Sequence, residues 1–266
     1  MILGMINNWT EEGFRQVHSF GLKAIEFCYN IGNDPADLQA LLPDLRKWSK
    51  GYDVRVGSMG RWGTDKLDEK GAILEDELKN SYKLIDIASD LGCPVFNTGV
   101  NYIEKLSYLQ NCNAAIEFLA KLVDYGKTRG VKIATYNCHW NNYIDCPKAW
   151  EMVQGTLPGL GIKFDPSHCM NTGSGDYVGE TINWGDRFYH FHIKGVLRAN
   201  GEEYDDPPAG LDMINWRALF GALYAKHYDG MLSIEPHSAI WKGDLGDWGV
   251  RLTIDYVTPL IYPGKR

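Results

Sequence analysis

The feature that most constrains this chain is an eightfold alternation. Short runs of β-branched and aromatic residues are separated by longer segments whose apolar residues recur every three or four positions. The first pattern is that of buried strands and the second that of helices packed on one face. The runs at 2–6, 24–28, 54–59, 95–100, 132–137, 161–166, 189–194 and 231–236 predict strands. The segments 9–20, 35–50, 66–91, 108–129, 147–154, 177–186, 215–227 and 247–260 predict helices. Gly92, Gly130 and Gly230 stand between a helical segment and a strand, where a helix end favours a residue that tolerates positive φ.

Eight strand–helix units in 266 residues fit a (β/α)8 barrel, which takes about 250 residues. The expectation is an α/β fold with one barrel domain spanning 1–266. An open doubly wound sheet would carry a glycine-rich phosphate turn after its first strand, and GMINNWTEEG has none.

Composition narrows the function. With 34 acidic against 27 basic residues the net charge is -7, and no basic cluster offsets it, so a dedicated nucleic-acid partner is not expected. No stretch approaches the roughly 18 apolar residues of a spanning helix. The first residues lack the basic region and uninterrupted apolar core of a signal peptide. The expected location is cytoplasmic, without a membrane partner. Six cysteines without a CxxC pair read as reduced thiols.

Barrel strands are covered on both faces, so polar residues at their carboxyl ends are the informative exceptions. Those ends carry Glu26, Asn97, Asn137 with His139, Asp165 with His168, His192 with Lys194, and Glu235 with His237. Singly, each has a plain structural explanation such as a helix cap. Together, Asp165, His168, His192 and Glu235 bring two carboxylates and two imidazoles to three consecutive strand ends. Oxygen ligands mixed with imidazole suit one divalent ion, Mn2+, Mg2+, Co2+ or Zn2+, with positions left for substrate oxygens.

The order of D-x-x-H (Asp165 to His168), H-x-K (His192 to Lys194) and IEPH (containing Glu235) resembles the xylose-isomerase-like TIM barrels, the sugar phosphate isomerase/epimerase superfamily. AIEF, PPAGLDMINW and HYDGMLSIE add to the likeness, which covers nearly the whole chain. The resemblance implies a divalent metal held by Asp165, His192 and Glu235, with His168 placed to contact substrate or metal. The fifth strand departs from the family pattern. Where many relatives have Glu, this chain reads TYNCHW, so the ligand slot falls on Asn137, or on Tyr136 if the register slips by one.

The implied reaction is metal-assisted isomerisation or epimerisation of a sugar or polyol, with Glu235 moving a proton next to a carbonyl. An Asn amide does not replace a second carboxylate, because its oxygen is too weakly basic. His139, or His237 or His168, is then the alternative base, since imidazole titrates near neutrality, and Lys194 would steady an oxyanion or protonate a leaving hydroxyl. That arrangement keeps dehydration open, as in the inosose dehydratases that the chain also resembles. The missing carboxylate equally keeps open a non-catalytic sugar-binding barrel. An endonuclease IV-like activity would need a richer ligand set and a basic face, which this sequence lacks.

Trp9, Tyr29, Trp62, Trp140 and Trp241 follow strand ends, where flat rings stack on sugars. Trp9 and Trp62, with Glu26, His168 and His237, are the expected substrate contacts. Arg61, Lys194 and Arg198 would meet a phosphate, but no glycine-rich turn completes a cradle, which favours an unphosphorylated substrate. Glu26 either reaches across the mouth or braces a neighbouring loop. A homo-oligomer is compatible with a soluble enzyme of this kind.

Overall fold

The computed structural model describes residues 1–264. In chain order the elements are β1 (Ile2–Ile6), α1 (Glu11–Ser19), β2 (Ala24–Cys28), α2 (Pro35–Ala40), α3 (Leu42–Tyr52), β3 (Arg55–Arg61), α4 (Glu75–Asp90), β4 (Val95–Thr98), α5 (Tyr108–Arg129) and β5 (Lys132–Tyr136). They continue as α6 (Pro147–Thr156), β6 (Leu160–Phe164), α7 (Pro166–Thr172), α8 (Tyr177–Trp184), β7 (Phe188–Ile193), β8 (Leu197–Ala199), β9 (Glu202–Asp205), α9 (Trp216–Ala225), β10 (Met231–Ile234) and α10 (Gly243–Val257). Strands β1 to β7 and β10 form a closed parallel barrel in the order β1-β10-β7-β6-β5-β4-β3-β2. Ile2 beside Met231 closes the ring. This is a (β/α)8 TIM barrel.

The helices begin where side chains take up free backbone N–H groups. Thr10 accepts from Gly13 at the start of α1, and Ser107 with Gln110 forms a reciprocal capping box on α5. The longest helix then stops at Gly130, whose φ of 70° suits a residue without Cβ. Gly92 has the same sign of φ, but at the Gly230 junction the left-handed residue is His227 instead. Phe14, Phe118, Trp150, Trp216 and Leu219 are fully buried between helices and barrel. Each contributes about 1.5–3 kcal/mol.

Four segments differ from expectation; the first is the helix expected at 35–50, which is two, α2 and α3, divided at Leu41. Residues 66–74 form a loop, because Asp68 Oδ1 accepts from the backbone N–H groups of Lys70 and Ala72, and Gly71 turns with φ 85°. Asp165 caps an additional helix, α7, whose first residue is Pro166. After β7 the chain adds the antiparallel hairpin β8–β9 rather than proceeding directly to α9.

The barrel interior is polar. Glu26, Ser58, Asn97, Lys163, His190, His192 and Ser233 are all buried. Glu26 on β2 touches His190 and His192 on β7, which is not a neighbouring strand, so these contacts span the lumen. Most barrels fill this space with branched apolar side chains.

Candidate metal centre and active site

Strand pleat and strand ends bring the chemistry together. Alternate residues of β7 and its extension, His190, His192 and Lys194, face the lumen. Asp165 follows β6 and Glu235 follows β10, so both stand at the carboxyl mouth. His192 Nδ1 lies 2.8 Å from Glu235 Oε2 and 3.6 Å from Asp165 Oδ2. These three residues place one ligand atom each within 4.8 Å of one another. Lys194 Nζ lies 3.5 Å from Asp165 Oδ2 and 3.9 Å from Glu235 Oε2. His168 Nε2 is 3.5 Å from Asp165 Oδ2 and 3.5 Å from Lys194 Nζ.

The two oxygens of Asp165 are treated differently. Oδ1 accepts from Ser167 N at 2.9 Å and Ser167 Oγ at 2.7 Å, whereas Oδ2 is buried with no hydrogen bond among the described residues. Burial opposes ionisation of Asp165, but the Lys194 ammonium outweighs it and holds the carboxyl well below its ordinary range. Glu235 is held low in the same way, burial being overcome by Lys194 and His192. Burial disfavours the imidazolium of His192, yet Glu26 and the mouth carboxylates raise it to about 10. Burial pushes His168 down to about 3, so it is neutral.

Asn137, expected as a ligand, is placed elsewhere. Its Nδ2 donates to the Asp165 carbonyl at 2.8 Å, and its Oδ1 accepts from the Asp165 N–H at 2.9 Å. The amide therefore clamps the backbone of Asp165 rather than adding to the carboxylate–imidazole cluster. The fifth-strand slot in the lumen belongs to Tyr136: Thr135 accepts from Gln154 on α6 and so faces outward, which turns Tyr136 inward. Its ring stacks on Trp62 at 4.8 Å and 17°.

Other expected site residues are also repositioned. His139, named as a candidate base, is 56% exposed and paired with Asp145, apart from the cluster. Glu26, expected as a substrate contact, is fully buried and accepts from His190 at 2.7 Å and His192 at 2.9 Å. Trp62 is buried against Tyr136 rather than open to the mouth. Trp9 stays half-buried at the rim against Tyr29. His237 is on the rim and bonds Asp206 at 2.7 Å, which raises its imidazolium. Glu235, His237 and Trp241 line a cleft of ≈ 600 Å³ between the ends of β1 and β10. Arg61 is buried in a two-nitrogen bond to Glu77, and Arg198 bonds Asn171.

Sequence reasoning missed lumen residues such as Lys163, whose Nζ is 3.9 Å from Asp165 Oδ2, and above all His190. The signal was present in H-F-H-I-K, where two-residue spacing puts His190, His192 and Lys194 on one face of a strand.

Fold and cluster define a parallel (β/α)8 barrel with an acid–imidazole centre at the carboxyl ends of its strands. The chain belongs to the xylose isomerase-like TIM barrel family, whose model matches residues 14–249. Solved structures similar to it include a D-allulose 3-epimerase from Methylomonas sp., 18% identical, covering 98% of each chain with TM-score 0.76. A 3-keto-D-glucoside 4-epimerase from E. coli is 16% identical, covering 97% of this chain and 99% of that one, with TM-score 0.73. A xylose isomerase domain protein from Planctomyces limnophilus is 14% identical, covering 97% and 96%, with TM-score 0.76. A search of curated protein sequences finds no match.

Proposed function

We propose that this protein is a divalent-metal-dependent isomerase or epimerase that moves a proton beside the carbonyl of an unphosphorylated sugar or polyol. The observation that carries the reading is Asp165 Oδ2, an anionic oxygen buried without a hydrogen-bond partner among the described residues and facing His192 Nδ1 beside Glu235 Oε2. Lys194, His168 and His192 surround it but come no nearer than 3.5 Å, so a cation seated between the three groups would supply the direct partner that this oxygen lacks. Two carboxylates and one imidazole suit Mn2+, Mg2+, Co2+ or Zn2+ and leave positions for substrate oxygens. When bound, the ion would polarise the substrate's carbonyl and hydroxyl and stabilise the charge that develops there.

The remaining work falls to this chain's own groups. Glu235 has 21% of its side chain exposed and lines the cleft, so it is the cluster carboxylate able to take a proton from carbon. Lys194 supplies fixed positive charge toward a developing oxyanion. Neutral His168, 3.5 Å from that ammonium, is placed to hydrogen-bond a substrate hydroxyl on the same side. Arg61 is engaged by Glu77, which supports a substrate without phosphate. The names of two structural neighbours, epimerases of D-allulose and of a 3-keto-D-glucoside, point to the same substrate class.

One observation favours a second reading. Tyr136 fills the slot where a second carboxylate would stand, so the charged group beside Glu235 is the Lys194 ammonium, 3.9 Å away. That pairing suits loss of water from a keto-polyol as well as epimerisation.

The test is deuterium exchange. Purified chain with Mn2+ in D2O, offered free ketoses, keto-polyols and their phosphates, is expected to incorporate deuterium beside the carbonyl of a free substrate. Asp165→Asn is expected to lose both metal and exchange. No stoichiometric divalent metal together with no exchange on any substrate would refute the proposal, and exclusive use of phosphates would refute its substrate class.

A further inference from the structure

We propose that Glu26 is a positioning residue that locks the tautomer of His192, so that its Nδ1 lone pair faces the mouth. The inference rests on the metal reading above and adds a residue to it. Glu26 lies at the floor of the cluster, fully buried, and a single oxygen, Oε2, receives His190 Nε2 at 2.7 Å and His192 Nε2 at 2.9 Å. An ionised carboxylate has no proton to give, so both contacts require N–H on Nε2. A neutral imidazole carries one ring proton; held at Nε2, it leaves Nδ1 bare. In the metal-free chain His192 Nδ1 also holds a proton, 2.8 Å from Glu235 Oε2 and 3.6 Å from Asp165 Oδ2; when one ring proton leaves, Glu26 keeps the other on Nε2 and the nitrogen laid bare is Nδ1.

His190 supports the assignment independently. Its Nδ1 is buried with no partner among the described residues. A bare acceptor tolerates that position better than an orphaned N–H does, which places the His190 proton on Nε2 as well. The two rings stand at 84° with centroids 5.3 Å apart, so they approach the shared oxygen from different directions. His190 thereby holds the carboxylate where His192 needs it. Glu26 touches neither the cleft nor Asp165 and Glu235 by any hydrogen bond, so its effect on the mouth passes through the imidazole. Partners of this kind behind a metal-bound histidine change affinity by 10–100-fold when removed.

The experiment titrates Mn2+ calorimetrically into the full chain and its Glu26→Leu and Glu26→Gln variants, and records long-range 15N–1H correlations of the histidines in Mg2+- or Zn2+-loaded wild type. Glu26→Leu is expected to bind Mn2+ about 10–100-fold more weakly. Glu26→Gln, which keeps a carbonyl oxygen in the same place, is expected to recover part of that loss. His190 and His192 of the wild type are expected to show the Nε2–H pattern. If wild type binds no Mn2+, the metal reading falls and this inference falls with it. If wild type binds and a folded Glu26→Leu binds equally well, or if His192 carries its proton on Nδ1 in the loaded protein, the positioning role alone is overturned. The wild-type spectrum decides the matter even if Glu26→Leu does not fold.

Discussion

Replacing Asn137 by Asp separates two roles that predict opposite signs. In the structure the Asn137 amide satisfies both backbone groups of Asp165, donating at 2.8 Å and accepting at 2.9 Å, at a site 2% exposed. Asn137→Asp keeps the acceptor but sets an oxygen against the Asp165 carbonyl where a donor had been. One buried hydrogen bond is lost, about 1 kcal/mol, and the carbonyl is left unsatisfied, about 1–3 kcal/mol, so stability should fall by about 2–4 kcal/mol. The second anion beside Asp165, or the neutralised carboxyl that avoids it, also disturbs the carboxylate whose Oδ2 faces His192. Mn2+ affinity should therefore fall. Urea unfolding of the metal-free protein and calorimetric Mn2+ titration measure the two effects separately. Were Asn137 a ligand, a carboxylate in its place would tighten binding. Tighter Mn2+ binding with stability within about 0.5 kcal/mol of wild type would refute the clamp.

Two further predictions follow from buried charge. Lys66 is 1% exposed and bonded to Glu77, yet burial lowers its ammonium to about 8. Its folded value lies below the unfolded one, so the cost of holding the charge is full below pH 8 and is relieved as pH rises from about 8 to 10.5. Lys66→Met should stabilise the protein at pH 7 by about 3 kcal/mol, Glu77 retaining Arg61 and Thr64, and the gain should shrink toward pH 10; a gain independent of pH in urea unfolding would contradict this. His192, raised to about 10 in the metal-free protein, must lose a proton to become a ligand. Mn2+ affinity should thus rise about tenfold per pH unit between pH 7 and 9, with proton release visible as a dependence of binding heat on buffer, and a flat profile would oppose it.

What the sequence disclosed depended on whether local signals agreed. The strands at 2–6 and 24–28 and the helix at 108–129 match the structure to the residue, because apolar pattern, caps and terminal glycine all point one way. The segment 66–74 misled, since Leu67, Ile73 and Leu74 mimic helical spacing while Asp68 quietly takes the N–H groups a helix would use. The β8–β9 hairpin, built on residues such as Arg198, Glu202 and Glu203, offered no apolar alternation to notice.

Within the site the decisive ambiguity was a shift of one residue on the fifth strand. A strand's side-chain period is two, so exchanging Asn137 for Tyr136 exchanges the lumen for the outer face. Nothing in TYNCHW states which is which, because both residues are compatible with a strand end. The answer lies in a contact distant in sequence, Gln154 donating to Thr135 at 2.7 Å. That bond turns Thr135 toward α6, which commits Tyr136 to the lumen against Trp62 and leaves Asn137 beside the Asp165 backbone. The same parity explains why His190, two residues before His192, points into the barrel and meets Glu26 there. The polar lumen is thus one consequence of strand register, and Asp165, His192 and Glu235 are its upper layer.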